Sequence, residues 1–273
     1  MRSSLIFMSL FLSFAVNAKT LIVTDIDDTI KVSHVLNIKD KFQNALDVTV
    51  PFTGMAQLFT LLINQDPQNT KIVYLSNAPK TIAGIPLLAV SHSTFLNVNN
   101  FPDGELDLRE DIMDPNHKIT ELRRLFNDER PDVVIMFGDN GERDTEIYHQ
   151  AQSEYKNINI QSYIHQLYSS QAPFLLPKFL FEIGKPIFSE QIGFVTPIEI
   201  AADLKEKGIL SQQGYAWMIQ NISPYIVNEA KHKVEEFKSE TFPEFIKCKD
   251  FVWRWKLSDE LKPVYNKIQD RCG

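Results

Sequence analysis

The chain has 273 residues, of which 44% are apolar and 23% are charged, so it can form a full hydrophobic core of a soluble globular kind. The net charge of −7 and the lack of any Lys/Arg block argue against a nucleic-acid-binding protein. The sequence shows no internal repeat, which argues against a solenoid or propeller.

Residues 1–18 have the form of a secretory signal peptide. Arg2 precedes an apolar run from Leu5 to Val16, and Ala18 supplies a small residue before the predicted cleavage. The run is too short to span a bilayer, so an anchor is disfavoured, and a buried N-terminal helix is the alternative. We predict an exported protein, periplasmic or secreted, with no transmembrane span in the mature chain.

Acidic residues follow the first predicted strand. The run Leu21–Val23 breaks into TDIDDTI, which indicates a buried strand with carboxylates at its carboxyl end, where open α/β sheets bind ligands. Asp25 and Asp27 are two residues apart and point the same way, so both can reach one substrate. Asp25 would act as nucleophile and Asp27 as general acid and base. A polar turn is the alternative interpretation.

The next elements alternate between helix and strand. An amphipathic pattern predicts a helix over 55–62, and a strand over 71–75 ends at Ser76 and Asn77. The Ser76 hydroxyl and the backbone N–H groups of this turn can hold a phosphate oxygen, although a plain turn explains the same residues. A helix over about 85–96 and a short run from Glu105 to Arg109 follow.

A second helix start indicates an unusual lysine. Asp114 as N-cap and Pro115 at the first helical position would begin a helix with Lys118 in its first turn. The helix dipole disfavours a cation there, and an anionic ligand or a carboxylate partner would offset that cost. A solvated surface lysine is the alternative.

The last part of the predicted sheet again delivers carboxylates. A strand over 132–137 ends at Gly138 and Asp139, and a helix runs from Asp144 to about Tyr155, with Asp144 either its N-cap or a site acid. A further strand is expected over 158–164. The alternation over 20–165 predicts a doubly wound parallel sheet in an α/β fold.

The pattern changes after His165. Prolines interrupt the apolar segments, and we expect a mainly helical C-terminal extension, without an assigned role. The alternation of Phe251, Trp253 and Trp255 with charged residues favours a packed strand edge over a lipid-interface belt. Cys248 and Cys272 are free to pair in an exported protein, whereas in a reducing compartment they would be separate thiols.

The charges at the predicted sheet edge require a cation. During attack on a phosphate monoester, Asp25 and Asp139 carry −2 and the phosphate carries about −2, while Lys118 returns only +1. A deficit of about three charges in a partly desolvated pocket calls for a divalent ion. Mg²⁺ suits a set of carboxylates, a carbonyl and a substrate oxygen.

The order of acidic pair, Ser76, Lys118 and Asp139 with Asp144 resembles the haloacid dehalogenase superfamily. The receiver domain of two-component systems is a rival acidic-site fold, but it places its lysine after its acids and is cytosolic. Seven segments over about 21–165 are closer still to the catalytic domain of App1-type phosphatidate phosphatases, distant relatives of lipins. They read VTDIDDTIKVSHV, VPFTGM, VYLSNAP, FPDGELDLRE, HKITELRRL, FGDNGERDTEIY and INIQSYI.

The resemblance implies a role for each candidate site residue. It makes Asp25 the nucleophile and a metal ligand, and Asp27 the acid and base whose carbonyl also binds the metal. The remaining residues fall into two groups, a phosphate-binding group of Ser76, Asn77, Lys118 and Arg109 and a metal group completed by Asp139 and Asp144. A surface salt bridge is an equal alternative for Arg109.

The resulting prediction is an exported Mg²⁺-dependent phosphatase that forms an aspartyl-phosphate and hydrolyses phosphatidate or a related lipid phosphate. It comprises a signal peptide over 1–18, a haloacid-dehalogenase-like domain with a minimal cap over 19–165, and the extension over 166–273. Two departures from the family pattern, Ala78-Pro79-Lys80-Thr81 and His165, weaken the lipid assignment. The alternatives are a phosphatase of soluble phosphomonoesters and a binding protein with a vestigial site.

Overall fold

A computed structural model describes residues 18–37, 47–171, 182–229 and 239–273 of the chain. The predicted signal peptide, apart from Ala18, lies outside these described residues. Within them, six parallel strands form one sheet with helices between the strands, in the order β3-β2-β1-β4-β5-β6. The predicted α/β fold with a parallel sheet is therefore confirmed.

In the described residues up to 171, the structure has five of the six strands of this sheet and four helices. Their bounds are β1 (Thr20–Thr24), α1 (Met55–Gln65), β2 (Thr70–Pro79), α2 (Leu87–Val98), β3 (Glu105–Arg109), α3 (His117–Glu129), β4 (Val133–Asp139), α4 (Asp144–Glu154) and β5 (Asn159–His165). The described residues from 182 onwards contribute one strand and four helices. These are β6 (Ile192–Phe194), α5 (Pro197–Glu206), α6 (Gln212–Asn221), α7 (Ser223–Val227) and α8 (Lys262–Cys272).

Helices cover both faces of the sheet, which explains the continuous apolar runs of its central strands. Successive residues of β1 point to opposite faces: Ile22 packs in the cluster that includes α1 and α5, whereas Leu21 and Val23 pack in the cluster of α3 and α4. The core therefore lies in two layers, one on each side of the sheet.

The position of β1 fixes where a ligand can bind. This strand lies between β2 and β4, so the chain order reverses at β1 and a crevice opens at the carboxyl ends of β1 and β4. Thr24, at the end of β1, is in register with Phe137 of β4. The acids that follow the two strands therefore come out side by side.

The C-terminal region contains the expected helices and also a strand that the sequence did not predict. The three residues of β6 pair with β5 and extend the sheet. A disulfide joins Cys248 to Cys272, so α8 is tied to the preceding segment. Among the described residues, no helix has both the length and the apolar character needed to cross a membrane.

The predicted strand edge around Trp253 is wrong. Residues 251–255 form no strand, and their aromatic side chains pack together instead. The Trp253 ring lies at right angles to Trp255 and to Tyr265 of α8, and its indole N–H donates to the Trp255 carbonyl at 2.8 Å. This segment is therefore fixed by packing against α8 and does not pair with a neighbouring strand.

The predicted start of α3 is also wrong, whereas α4 begins at Asp144 as predicted but without Asp144 as its N-cap. Helix α3 begins at His117, two residues later than expected, because the Asp114 carboxylate accepts from the Asn116 backbone N–H at 2.8 Å and forms a turn ahead of the helix. Helix α4 has Arg143 as its N-cap residue, and Asp144 lies in its first turn. Asp144 is thereby left to interact with the lysine of α3.

Candidate active site

Three buried aspartates meet at the crevice between β1 and β4. Asp25 follows β1 directly, and its backbone N–H donates to the Phe137 carbonyl at 2.8 Å, which continues the β1–β4 pairing. One carboxylate oxygen from each of Asp25, Asp139 and Asp144 lies within 4.8 Å of the other two. The structure thus brings together acids that are up to 119 residues apart in the sequence.

Lys118 joins two of these aspartates. Its ammonium group donates to Asp25 Oδ1 at 2.7 Å and to Asp144 Oδ1 at 2.5 Å. Only 1% of the lysine side chain is exposed, so the two pairs form away from bulk water. The helix dipole disfavours a cation in the first turn of α3, and the two carboxylate partners of Lys118 offset this cost.

The loop after β4 holds Asp139 through its backbone. Asp139 Oδ1 accepts from the N–H groups of Gly141 at 2.5 Å and Glu142 at 3.2 Å. Gly138 allows Asp144 to approach, because a Cβ at this position would lie only 2.6 Å from the Asp144 Cβ. Gly138, near the end of β4, is therefore needed for Asp144 to lie beside Asp139.

Burial and mutual repulsion shift the protonation of the cluster. Burial raises the pKa of Asp25 well above its usual value, and the charge of Lys118 opposes that shift only in part. The pKa of Asp139 is raised by burial and then by the charges of Asp144 and Asp25. Burial would lower the pKa of Lys118, but Asp144 and Asp25 together hold it well above its usual value.

The cluster fits a divalent cation. When ionised, the three aspartates carry −3 and Lys118 carries +1, which leaves a net charge of −2 in a buried site. The potential ligands are all carboxylate oxygens, the donors that hard cations such as Mg²⁺ prefer over softer metals. The raised carboxyl pKa values indicate that the acids lack sufficient positive charge from the protein alone.

Asp27 lies nearer to solvent than Asp25 and is held by other contacts. Its side chain is 20% exposed, against 7% for Asp25. The Ser33 hydroxyl donates to Asp27 Oδ1 at 2.6 Å, and His92 Nε2 lies 3.5 Å from Asp27 Oδ2. Burial lowers the pKa of His92, so its imidazole is neutral at pH 7. Asp27 thus faces the pocket with one oxygen fixed.

Asp28 shapes the loop that carries Ser33. Its carboxylate accepts from the backbone N–H groups of Ser33, His34 and Val35 at 2.7 to 2.9 Å, and the Tyr168 hydroxyl also donates to it. Asp28 is buried and therefore has a structural function in this loop, outside the pocket.

Three of the four predicted phosphate-binding residues line the pocket, which has a volume of about 540 Å³. The fourth, Lys118, is buried behind Asp25 and is not part of the lining. Ser76, Asn77 and Arg109 line the pocket together with Asp25 and Asp27. The Arg109 Nε atom is buried and has no hydrogen-bond partner among the described residues, while its Nη1 donates to the Asp114 carbonyl at 3.4 Å. No salt bridge of Arg109 is found in the described part of the chain, so the structure favours a pocket location over a surface ion pair.

Comparison with protein families identifies this arrangement. Residues 20–166, just over half of the chain, match the family model described as phosphatidate phosphatase APP1, catalytic domain. The chain belongs to this App1 family. The haloacid dehalogenase placement is consistent with that family. A search of curated proteins gives no match to this chain.

The App1 family is one of metal-dependent phosphatases, so the chain contains a phosphatase-type domain whose buried aspartates could hold a metal ion. His165, where the chain departs from the family pattern, lies away from the pocket. Its ring stacks on Phe194 at 4.6 Å and meets the edge of Phe52 at 4.4 Å. His165 is therefore a core residue and is not part of the pocket lining.

Four charged or titratable pocket residues escaped the sequence analysis, namely His92, Glu142, Arg143 and Lys185. Arg143 follows the loop after β4, and its place in the segment GDNGERD was a usable signal. Glu146 connects the two cations, at 3.5 Å from Arg143 Nε and 3.2 Å from Lys185 Nζ. His92 lies within an apolar helical pattern, and Lys185 lies in the C-terminal extension, for which the sequence predicted helices and no role.

A second cavity, of about 590 Å³, is slightly larger than the App1 pocket. It lies between α1 and the C-terminal helices, with Phe52, Trp217 and Tyr225 in its lining. Among the described residues, its lining contains no carboxylate or cation, the groups that phosphoryl chemistry requires. The chemistry of the residues, and not the volume, therefore locates the site.

Proposed function

We propose that the protein is an exported, Mg²⁺-dependent phosphatase that hydrolyses phosphatidate or a related lipid phosphate through a phosphorylated Asp25. The observation that carries this proposal is the buried contact of Lys118 with Asp25, 2.7 Å long, inside a cluster of three aspartates of which Asp25 lines the pocket. This cluster gives a nucleophile, a charge-balancing cation and metal ligands at one point.

The reaction would use Asp25 and Asp27 in turn. A carboxylate oxygen of Asp25 attacks phosphorus, the ester P–O bond breaks, and the alcohol leaves with a proton from Asp27. Water then attacks the phosphorus of the aspartyl-phosphate and gives a proton to Asp27, which releases inorganic phosphate and regenerates Asp25. The hydrogen bond from Ser33 supports this role, because it holds the Asp27 carboxyl beside the pocket.

The phosphoryl group would be held by the polar lining of the pocket. The Lys118 ammonium lies against the nucleophile, and Ser76, Asn77 and the unpartnered Nε of Arg109 provide donors along the wall. These groups are fixed before substrate binds, which is the condition for effective stabilisation of developing charge. Asp144 supports them through its bond to Lys118.

Mg²⁺ would be held by the carboxylates of Asp25 and Asp139 and by the Asp27 carbonyl, with Asp144 completing the cluster. When bound, it would supply positive charge that reduces the repulsion between carboxylate and phosphate. The hardness of the oxygen donors and the −2 charge of the ionised cluster support a divalent ion of this class.

Export is supported by two independent features. The sequence of residues 1–18 has signal-peptide form, and the disulfide between Cys248 and Cys272 is of a kind that persists in oxidising compartments. A mature chain that begins at Lys19 would then meet lipids or phosphate esters outside the cytoplasm.

A soluble phosphomonoester is the second candidate substrate. The pocket volume of about 540 Å³ lies in the range that accommodates a small organic phosphate, so the geometry does not require a lipid. The two candidate substrates would react by the same chemistry at phosphorus, and they differ only in the alcohol to which the phosphate is esterified.

A substrate panel tests the proposal directly. Phosphate release by residues 19–273 is measured on phosphatidate vesicles and on sugar and nucleotide phosphates, with Mg²⁺ and with EDTA. The proposal predicts Mg²⁺-dependent release that Asp25→Asn abolishes, with phosphatidate preferred. Preference for a soluble ester would move the assignment to the second candidate. Normal turnover by Asp25→Asn, or no turnover of any ester, would overturn the proposal.

A further inference from the structure

Exposed apolar side chains are concentrated on two loops beside the pocket. Ile82 and Ile85 lie between β2 and α2, Leu87 is the first residue of α2, and Ile112 and Met113 lie between β3 and α3. Met113 is 80% exposed and Ile85 is 55% exposed. Single exposed apolar residues are ordinary, whereas a concentration of them beside one site indicates a binding surface. We call these five residues the apolar rim.

The first loop is an ordered hairpin. Ile82 and Ile85 exchange two backbone hydrogen bonds, of 2.9 and 3.0 Å, and form an antiparallel bridge. The two residues between them, Ala83 and Gly84, have φ of 51° and 79°, as a tight two-residue hairpin turn requires. Residues that are directly opposite in such a pair have side chains on the same face. The two isoleucines therefore form one continuous apolar surface.

The two loops leave the sheet side by side and reach the pocket. Pro79 pairs with Arg109, and the Lys80 N–H donates to the Arg109 carbonyl at 2.9 Å. Pro79, Leu88 and Arg109 all line the pocket, so the chain runs from the pocket wall directly into the rim on both loops. A molecule that rests on the rim would present its phosphate to Asp25.

The charge of these loops is close to neutral. Lys80 forms an ion pair with Glu110. The carbonyl and the guanidinium group of Arg109 both make contacts within the loop region. Asp111 and Asp114 add two negative charges. A surface of this kind has no electrostatic attraction for anionic lipids. Its affinity for a membrane would come from the apolar side chains, as in interfacial proteins.

We propose that the apolar rim inserts into the surface of a phospholipid bilayer and places the phosphoryl pocket over its lipid substrate. This inference rests on the proposed lipid phosphatase function and adds how the enzyme reaches a substrate that stays in a membrane. The bilayer is the occupant that the observations favour, because the rim is apolar, nearly neutral and continuous with the pocket that would receive the phosphate headgroup.

The experiment measures vesicle flotation of residues 19–273 with phosphatidylcholine vesicles that contain a minor fraction of phosphatidate, in EDTA so that no substrate is consumed. We expect the double variant Ile82→Ser/Ile85→Ser to bind roughly tenfold or more weakly, and Met113→Ser to weaken binding further. Binding should persist at high salt, since it does not depend on charge. The matched control is Val252→Ser/Leu257→Ser, which changes two exposed apolar residues outside the rim and should bind normally.

Activity assays separate this inference from the proposed function. The hairpin variant should hydrolyse water-soluble p-nitrophenyl phosphate at the wild-type rate and vesicle phosphatidate about tenfold more slowly. Flotation that depends on the hairpin, without phosphatidate hydrolysis, would support docking and overturn the proposed substrate. Equal flotation of wild type and hairpin variant, or no flotation of the wild type, would overturn docking. A wild-type dimer that the same variant dissociates, without flotation, would instead assign the rim to a second copy.

Discussion

Lys118 and Asp144 form an ion pair of 2.5 Å between two fully buried side chains on different helices. The pair has no access to water, so its stability depends on the balance of charges in the cluster that surrounds it. The same ammonium contacts Asp25, and the lysine therefore connects the proposed nucleophile to the loop after β4. Most of the behaviour that we expect of the protein follows from this connection.

Removal of the lysine charge should destabilise the fold and abolish turnover. Lys118→Met leaves Asp25 and Asp144 without their buried cation, and breaking such a pair typically costs about 3 to 5 kcal/mol. We expect urea unfolding to show a loss of that order, which Mg²⁺ reduces. Lys71→Met is the matched control, because its pairs with Glu105 and Glu129 are partly exposed and are worth less than about 1 kcal/mol. Equal losses in both variants would contradict the interpretation.

A single methyl group at Gly138 should disrupt the site. In Gly138→Ala the added Cβ would meet the Asp144 Cβ at 2.6 Å, so Asp144 must move away from Lys118. We expect phosphatase activity to fall by at least about tenfold, because displacement of a positioning group by even 1 Å has large effects on rate. Gly208→Ala is the control for a methyl group that causes backbone strain without a clash, since φ is 70° and nothing lies within 4 Å of a Cβ there; it should lose stability and keep its activity. Wild-type activity in Gly138→Ala would exclude the proposed packing.

Glu199 should make stability depend on pH. Burial raises its pKa to about 7, against 4.5 in the unfolded chain, although Thr196 and the N–H groups of Val195 and Thr196 donate to the carboxylate and oppose that shift. The folded state therefore favours the protonated form. The contribution of Glu199 to the free energy of unfolding is complete below pH 4.5 and is lost as pH rises through 7. The total loss is on the order of 3 kcal/mol.

Glu199→Gln tests this pH dependence. A glutamine keeps an oxygen to accept from the Val195 and Thr196 N–H groups and cannot ionise. Denaturant unfolding from pH 4.5 to 8 should show a smaller loss of stability in the variant than in the wild type. If stability falls equally with pH in the variant and the wild type, Glu199 is not the cause of the pH dependence.

The disulfide should stabilise the C-terminal region without affecting catalysis. It closes a loop of 24 residues, for which the chain-entropy estimate is about 3 kcal/mol. We expect Cys248→Ser/Cys272→Ser to lower the thermal midpoint and to keep phosphatase activity at low temperature, because neither cysteine lines the pocket. If the double variant is folded at low temperature and has lost its activity, the C-terminal region takes part in catalysis.

Sequence patterns predicted the sheet because buried parallel strands leave a strong signal. The runs that end at Asp25, Ser76 and Asp139 are apolar on both faces and break into polar residues at one edge. The order of acids and lysine then predicted the convergence of Asp25, Lys118 and Asp139. Long apolar strands with abrupt ends therefore carry most of the information about this site.

Other features depend on contacts between distant residues and leave no local pattern. β6 is only three residues long and exists because β5 offers a partner edge. Asp144 could be either a helix cap or a site acid until the position of Lys118 was known. His92 is part of an apolar helical face, and only the fold brings it to 3.5 Å from Asp27.

The metal centre is the central claim, and anomalous diffraction from crystals of the mature protein soaked in Mn²⁺, a stand-in for Mg²⁺, tests it most directly. The account predicts one anomalous peak within about 2.5 Å of carboxylate oxygens of Asp25 and Asp139. The peak should be absent from Asp139→Asn crystals. A wild-type crystal with no peak between these aspartates, or with its peak at another cluster of side chains, would contradict the account.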